Sequence, residues 1–331
     1  MLVSELESVL SGSGEHTICV DLGDIEINDD ATSLKIGPDF YALDEVAEKA
    51  LCTYLKVPYK YIKDAPTEVK SFNLKYWKDA FADITTEFDV YDGDIVSIHS
   101  PDQVTLPKQQ VAEMISSVFE PDNEVRLYQD NDQLHIDVLT AAKVEVLNPD
   151  GIPFRPAVGD ITRGGVRLLA YPHMAKKQPS VGAYLERLVC TNGMCSSEKL
   201  GMISITGRTV PEVIEQMELA ARKVLGGLDE ALDKYLHTAS VPVTGTLQAF
   251  AHQLAKEHNF TRAVLDEVMN IINQLPQGTA TVYDVIQAFT SVANQDLSYS
   301  TRMKLQTLGG ELALDTERAC NRCGSCERLL G

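Results

Sequence analysis

Val125-Arg126-Leu127-Tyr128-Gln129, Gln133-Leu134-His135-Ile136-Asp137-Val138-Leu139 and Lys143-Val144-Glu145-Val146-Leu147-Asn148 are three apolar, β-branched runs. Asn131-Asp132 and Asn148-Pro149-Asp150-Gly151 bracket them with turn residues. Alternation with period two is the mark of a half-buried strand, so this stretch predicts consecutive strands. Gly164-Gly165-Val166-Arg167-Leu168-Leu169-Ala170-Tyr171-Pro172 extends the strand-rich region to about residue 172.

Upstream, residues 16–22, 24–29 and 33–38 read as short strands between Gly, Asn and Asp turns. A helix beginning near Leu43 carries Ala47, Ala50, Leu51, Tyr54 and Leu55 at helical spacing and ends at Val57-Pro58. One or two further helices follow over residues 59–77, and residues 88–100 form a hairpin about Asp92-Gly93. A helix is expected over 108–118. Downstream of Ser180 the periodicity becomes helical, with helices predicted over 182–190, 210–237, 244–257, 262–274, 281–294 and 300–314. Strands first and helices second predict an α+β fold: a mixed or antiparallel sheet in the N-terminal half, then a mainly helical C-terminal half. The expected division is an acidic strand-rich region over 1–205, a helical region packed on it over 206–316, and a cysteine-rich tail over 317–331.

With 331 residues, 44% of them hydrophobic, the chain can bury a substantial core. No apolar run approaches the roughly 18 residues that a membrane helix needs, and the acidic N-terminus lacks the form of a signal peptide. These features predict a cytoplasmic protein with no membrane partner. The formal net charge is −19, and residues 1–150 carry all of the excess: 30 acids against 11 bases. Such a surface repels phosphates at long range and attracts basic partners. One expectation is therefore an acidic inhibitor or DNA mimic that captures a basic host protein.

Residues 151–187 reverse the charge. Arg155, Arg163, Arg167, Lys176, Lys177 and Arg187 face only Asp160 and Glu186, with Tyr171 among them. Guanidinium forks and ammonium groups suit phosphates, and aromatic rings stack on unpaired bases. This segment is the predicted surface for single-stranded DNA. The alternative is a set of strand-face arginines paired with the acidic first half. Cys190 invites a nucleophilic reading, but Asn192-Gly193 beyond it reads as a turn closing a buried helix end. No catalytic residue is assigned. Cys320, Cys323 and Cys326 have C-x₂-C-x₂-C spacing and can share one soft metal ion, zinc being favoured, although zinc requires a fourth ligand. The other reading of these cysteines is an exposed, oxidisable chain end. Phosphate-loop, H-E-x-x-H and G-x-S-x-G motifs are absent from the sequence.

Three stretches together carry a resemblance: Val158-Gly159-Asp160 with Gly164-Gly165-Val166, Arg187-Leu188-Val189-Cys190-Thr191-Asn192-Gly193, and the helix-type Thr281–Thr290 followed by Arg302 and Leu308-Gly309-Gly310; the early Val57-Pro58 helix end with Tyr61, Ala65-Pro66 and Asn73-Leu74 supports it. The chain resembles a family of unknown function carried by bacteriophages, prophages and plasmids (domain of unknown function 932, the phage/plasmid-like proteins). The resemblance spans roughly residues 40–315, and the cysteine tail lies outside it. It implies a mobile-element setting, in which such genes accompany replication, recombination or counter-defence. The reading is then a non-catalytic accessory of DNA transactions that binds single-stranded nucleic acid, with a homo-oligomer as one possible form. A metal-dependent enzyme is the third alternative.

Overall fold

The computed structural model describes residues 1–10, 16–43, 45–102, 104, 106–129, 134–146, 160–170, 178–187, 192–195, 202–243, 245–275 and 278–316. Helix α1 (Val3–Leu10) precedes four short strands, β1 (His16–Asp21), β2 (Ile25–Ile27), β3 (Ser33–Ile36) and β4 (Asp39–Leu43). Helices α2 (Glu45–Tyr54), α3 (Tyr59–Lys63) and α4 (Thr67–Ala80) lead to β5 (Thr85–Tyr91) and β6 (Asp94–His99). These six strands form one mixed sheet in the order β1-β5-β6-β4-β3-β2, with β4 and β6 parallel. The β5–β6 hairpin turns on Asp92 and Gly93, whose φ angles of 51° and 87° are the left-handed values this turn demands. Leu34, Leu51, Leu55, Ile62, Leu74 and Phe88 form a core between this sheet and α2–α4.

The second sheet begins after α5 (Lys108–Val118). It comprises β7 (Glu124–Gln129), β8 (Leu134–Val146), β9 (Asp160–Ala170), β10 (Ser180–Arg187) and β11 (Asn192–Cys195), antiparallel and in sequence order; β12 (Ile203–Ser204) pairs with β10. The second and third runs of the deciding stretch form one strand rather than two, because β8 bulges between Leu139 and Lys143. Beside the bulge the strands approach closely. A Cβ on Gly165 would lie 2.4 Å from the Val138 carbonyl oxygen, so only glycine fits there.

Helices α6 (Val210–Gly226), α7 (Leu228–His237), α8 (Leu247–Glu257), α9 (Arg262–Ile272), α10 (Val282–Val292) and α11 (Tyr299–Leu314) complete an α+β fold. One face of the second sheet, with Ile136, Val138, Val166, Leu168 and Val181, packs against α1, α5 and α6. A larger cluster from α7–α11, including Tyr235, Phe250, Tyr283 and Phe289, takes in Val146 of β8 and Leu185 of β10.

One sequence expectation changes. Residues 182–187 lie in strand β10, not in a helix. Val181, Tyr184 and Leu185 mimic helical spacing because β10 is covered on both faces, and a strand buried on both faces loses its alternation. Val3, Leu6 and Leu10 of α1 share a cluster with Val111, Ala112 and Ile115 of α5, and Val125 N donates to the Met1 carbonyl at 2.8 Å. Residues 16–99 therefore form a unit inserted between α1 and α5, with its own core. The helices beyond 206 divide between opposite faces of the second sheet.

Candidate nucleic-acid interface

Strand alternation places Glu124, Arg126, His135, Asp137, Arg163, Arg167, Tyr184 and Glu186 on the face of the second sheet opposite the α5–α6 core. Arg167 is 4% exposed. Its guanidinium donates to both Asp137 oxygens, at 2.5 and 2.6 Å, and to Gln306 Oε1 at 2.9 Å, and it lies 4.5 Å from the Tyr184 ring centroid. The planar fork matches a carboxylate in both geometry and charge. Burial, with the Asp137 carboxylate nearby, pushes the Tyr184 phenol well above its usual range.

Arg163 Nη2 donates to Glu124 at 2.8 Å and to Glu186 at 3.0 Å, and Arg126 also meets Glu186. The two carboxylates respond oppositely. Burial raises Glu186 despite both arginines, whereas the Arg163 hydrogen bond lowers the more exposed Glu124. An open pocket of about 550 Å³ lies beside this pair, with Leu139, Thr140 and Asn123 in its wall. Arg187, also 4% exposed, donates to Gln287 of α10 at 3.0 Å.

The three arginines described from the predicted surface are therefore tied into the scaffold. Arg167 and Arg187 are buried, and Arg163 is shared between two carboxylates. Each would have to surrender an internal partner to reach a phosphate. Arg155, Tyr171, Lys176 and Lys177 lie outside the described residues, as do Cys190 and the cysteines Cys320, Cys323 and Cys326. Among the described residues, no group of three or more His, Cys, Asp or Glu side chains could hold a metal ion. None of the described helices is long and apolar enough to cross a membrane.

The structure reveals a different surface. Pro58 and Pro66 fix the chain at the entries to α3 and α4, and Ile62 and Leu74 turn inward. The opposite side of α4 carries Val69, Phe72 and Tyr76 at i, i+3 and i+7, all exposed. Phe72 is 68% and Tyr76 58% exposed. The rings continue one another: Phe72 lies 6.2 Å from Tyr76, Tyr76 lies 5.4 Å from Trp77, and Trp77 lies 5.9 Å from Phe81. Lys56 Nζ sits 5.1 Å from the Phe81 ring centroid.

Residues 56–81 hold six lysines against three acids, more than half of the bases in the acidic first half. Lys60 is exposed, Lys63 pairs with Glu45, and Lys75 pairs with Asp29. Surface pairs of this kind contribute roughly 0–1 kcal/mol. The signal was present in the sequence as lysines interleaved with aromatics. It was missed because helical spacing alone does not tell a buried ring from an exposed one.

Comparison of the chain with protein-family models, curated proteins and solved structures finds no match in any of the three. The resemblance to the phage/plasmid-like proteins therefore rests on the quoted residues alone.

Proposed function

We propose that the protein is a non-catalytic accessory of phage or plasmid DNA transactions in the bacterial cytoplasm, and that it holds nucleic acid on the α3–α4 surface. The local reversal of charge over residues 56–81, in a chain of net charge −19, carries this reading. A polyanion repelled elsewhere on the first half meets its densest group of lysines there. The mobile-element setting comes from the resemblance.

Filter binding at low salt tests the reading. The unmodified chain should retain an oligonucleotide, with affinity falling steeply as salt rises. Changing Lys60, Lys63 and Lys75 together to Glu should weaken binding at least tenfold and reduce the salt slope by about 2. Arg167→Ala should lower stability more than affinity. Failure of the unmodified chain to bind at 50 mM salt (about the low-salt end of such titrations) sinks the reading.

Capture of a basic host protein is the second reading. It is favoured by the acids that register aligns on one face of the first sheet, the exposed Asp21 and Asp94 beside the half-buried Glu87 and Asp89. A stoichiometric basic partner, pulled down and then displaced by DNA, would favour it over the first.

A further inference from the structure

We infer that the strand held on α3–α4 is unpaired and that its bases stack on the exposed rings Phe72, Tyr76 and Trp77. This rests on the reading of that surface as a nucleic-acid site and adds the form of the ligand. Lysines alone would hold any polyanion. The rings add a selective element, because a base offers its face only when it is free of its duplex neighbours.

The geometry of the ridge suits such bases. Phe72 and Tyr76 are four residues apart on one helix, hence about 6 Å along its axis. That is nearly twice the roughly 3.4 Å base step of a stacked strand. Bases seated on both rings are splayed apart, as in an extended single strand. The Phe72–Tyr76 and Trp77–Phe81 ring pairs are each within 20° of parallel, while Tyr76 and Trp77 meet at 86°. The ridge thus offers two ring orientations within one turn. It carries few hydrogen-bonding groups, so sequence preference should be weak.

An aromatic helix face also suits a protein partner. The charge favours nucleic acid: Lys56 sits on the Phe81 ring and Lys60 is exposed, while Lys63, Lys70, Lys75 and Lys78 pair with Glu45, Glu48, Asp29 and Asp79. Phosphates are the complement of that set.

The chain has a single tryptophan, Trp77, so its fluorescence reports from the ridge alone. The full chain is titrated with oligothymidylate, with a duplex of equal length, and with inorganic polyphosphate. Oligothymidylate should quench Trp77 saturably and bind at least tenfold more tightly than the duplex. Phe72→Ala and Tyr76→Ala, both at exposed positions, should each weaken oligothymidylate binding roughly tenfold and leave polyphosphate binding unchanged. Equal binding of duplex and single strand without quenching overturns the stacking inference and leaves the nucleic-acid reading standing. Absence of binding to all three polyanions overturns both. If ring removal changes the sedimentation of the free chain and leaves oligothymidylate binding unchanged, the ridge is a self-contact and the inference fails.

Discussion

His99 illustrates how one side chain can couple stability to pH. It is 2% exposed, with Nε2 3.0 Å from Asp89 and Nδ1 3.4 Å from Glu87. Burial lowers its pKa, but the Asp89 hydrogen bond and charge, the Ser100 carbonyl and Glu87 together raise it above 6.5. A raised folded pKa means the imidazolium contributes stability fully below the unfolded value of about 6.5. That contribution is lost as pH rises through the folded value. Between pH 6 and 9 the midpoint of urea unfolding should therefore fall further in the parent than in His99→Gln. Parallel profiles for the two proteins would show that the imidazole carries no such charge. In the sequence His99 is one residue of the 88–100 hairpin, with no neighbour that marks it as charged. Asp89 lies ten residues away, and only pairing of β5 with β6 brings the two together.

Among elements, the Arg167 cluster joins β8 and β9 to α11. Its partners are distant in sequence: Asp137 is 30 residues away and Gln306 is 139. Arg167→Ala should destabilise the protein by about 3–5 kcal/mol, because Asp137 is left buried without its countercharge. Replacing Arg167 by Met and Asp137 by Leu together should recover much of that loss. Guanidinium unfolding of the two single variants and the double variant measures the coupling. Additive losses would show that the pair is not a unit. The neighbouring β10 shows why element type was misread. Glu186 is fully buried between Arg126 and Arg163, so the polar position that should mark an outward strand face points inward. By contrast, α5 was legible to its ends, since Pro107 precedes it and Val111, Ala112, Met114 and Ile115 form one inward stripe.

At the scale of the whole molecule, the inserted unit of residues 16–99 has a core sharing no residue with the other buried clusters. Phe88→Ala should cost that unit roughly 3–5 kcal/mol. Hydrogen exchange on the full chain should then show faster opening of residues 16–99 with protection of β8–β10 unchanged. Uniform loss of protection would show that the chain unfolds as one unit. Composition and short-range periodicity by themselves determined the α+β class, the order of strands before helices, and the concentration of acid in the first half. Each is a local property, carried by neighbouring residues. Only the tertiary structure decided that Arg167 and Arg187 face inward, that the first sheet interrupts a second unit, and that Phe72 and Tyr76 remain in solvent. Those outcomes depend on which distant surfaces cover a residue, and spacing along the chain does not encode the covering surface.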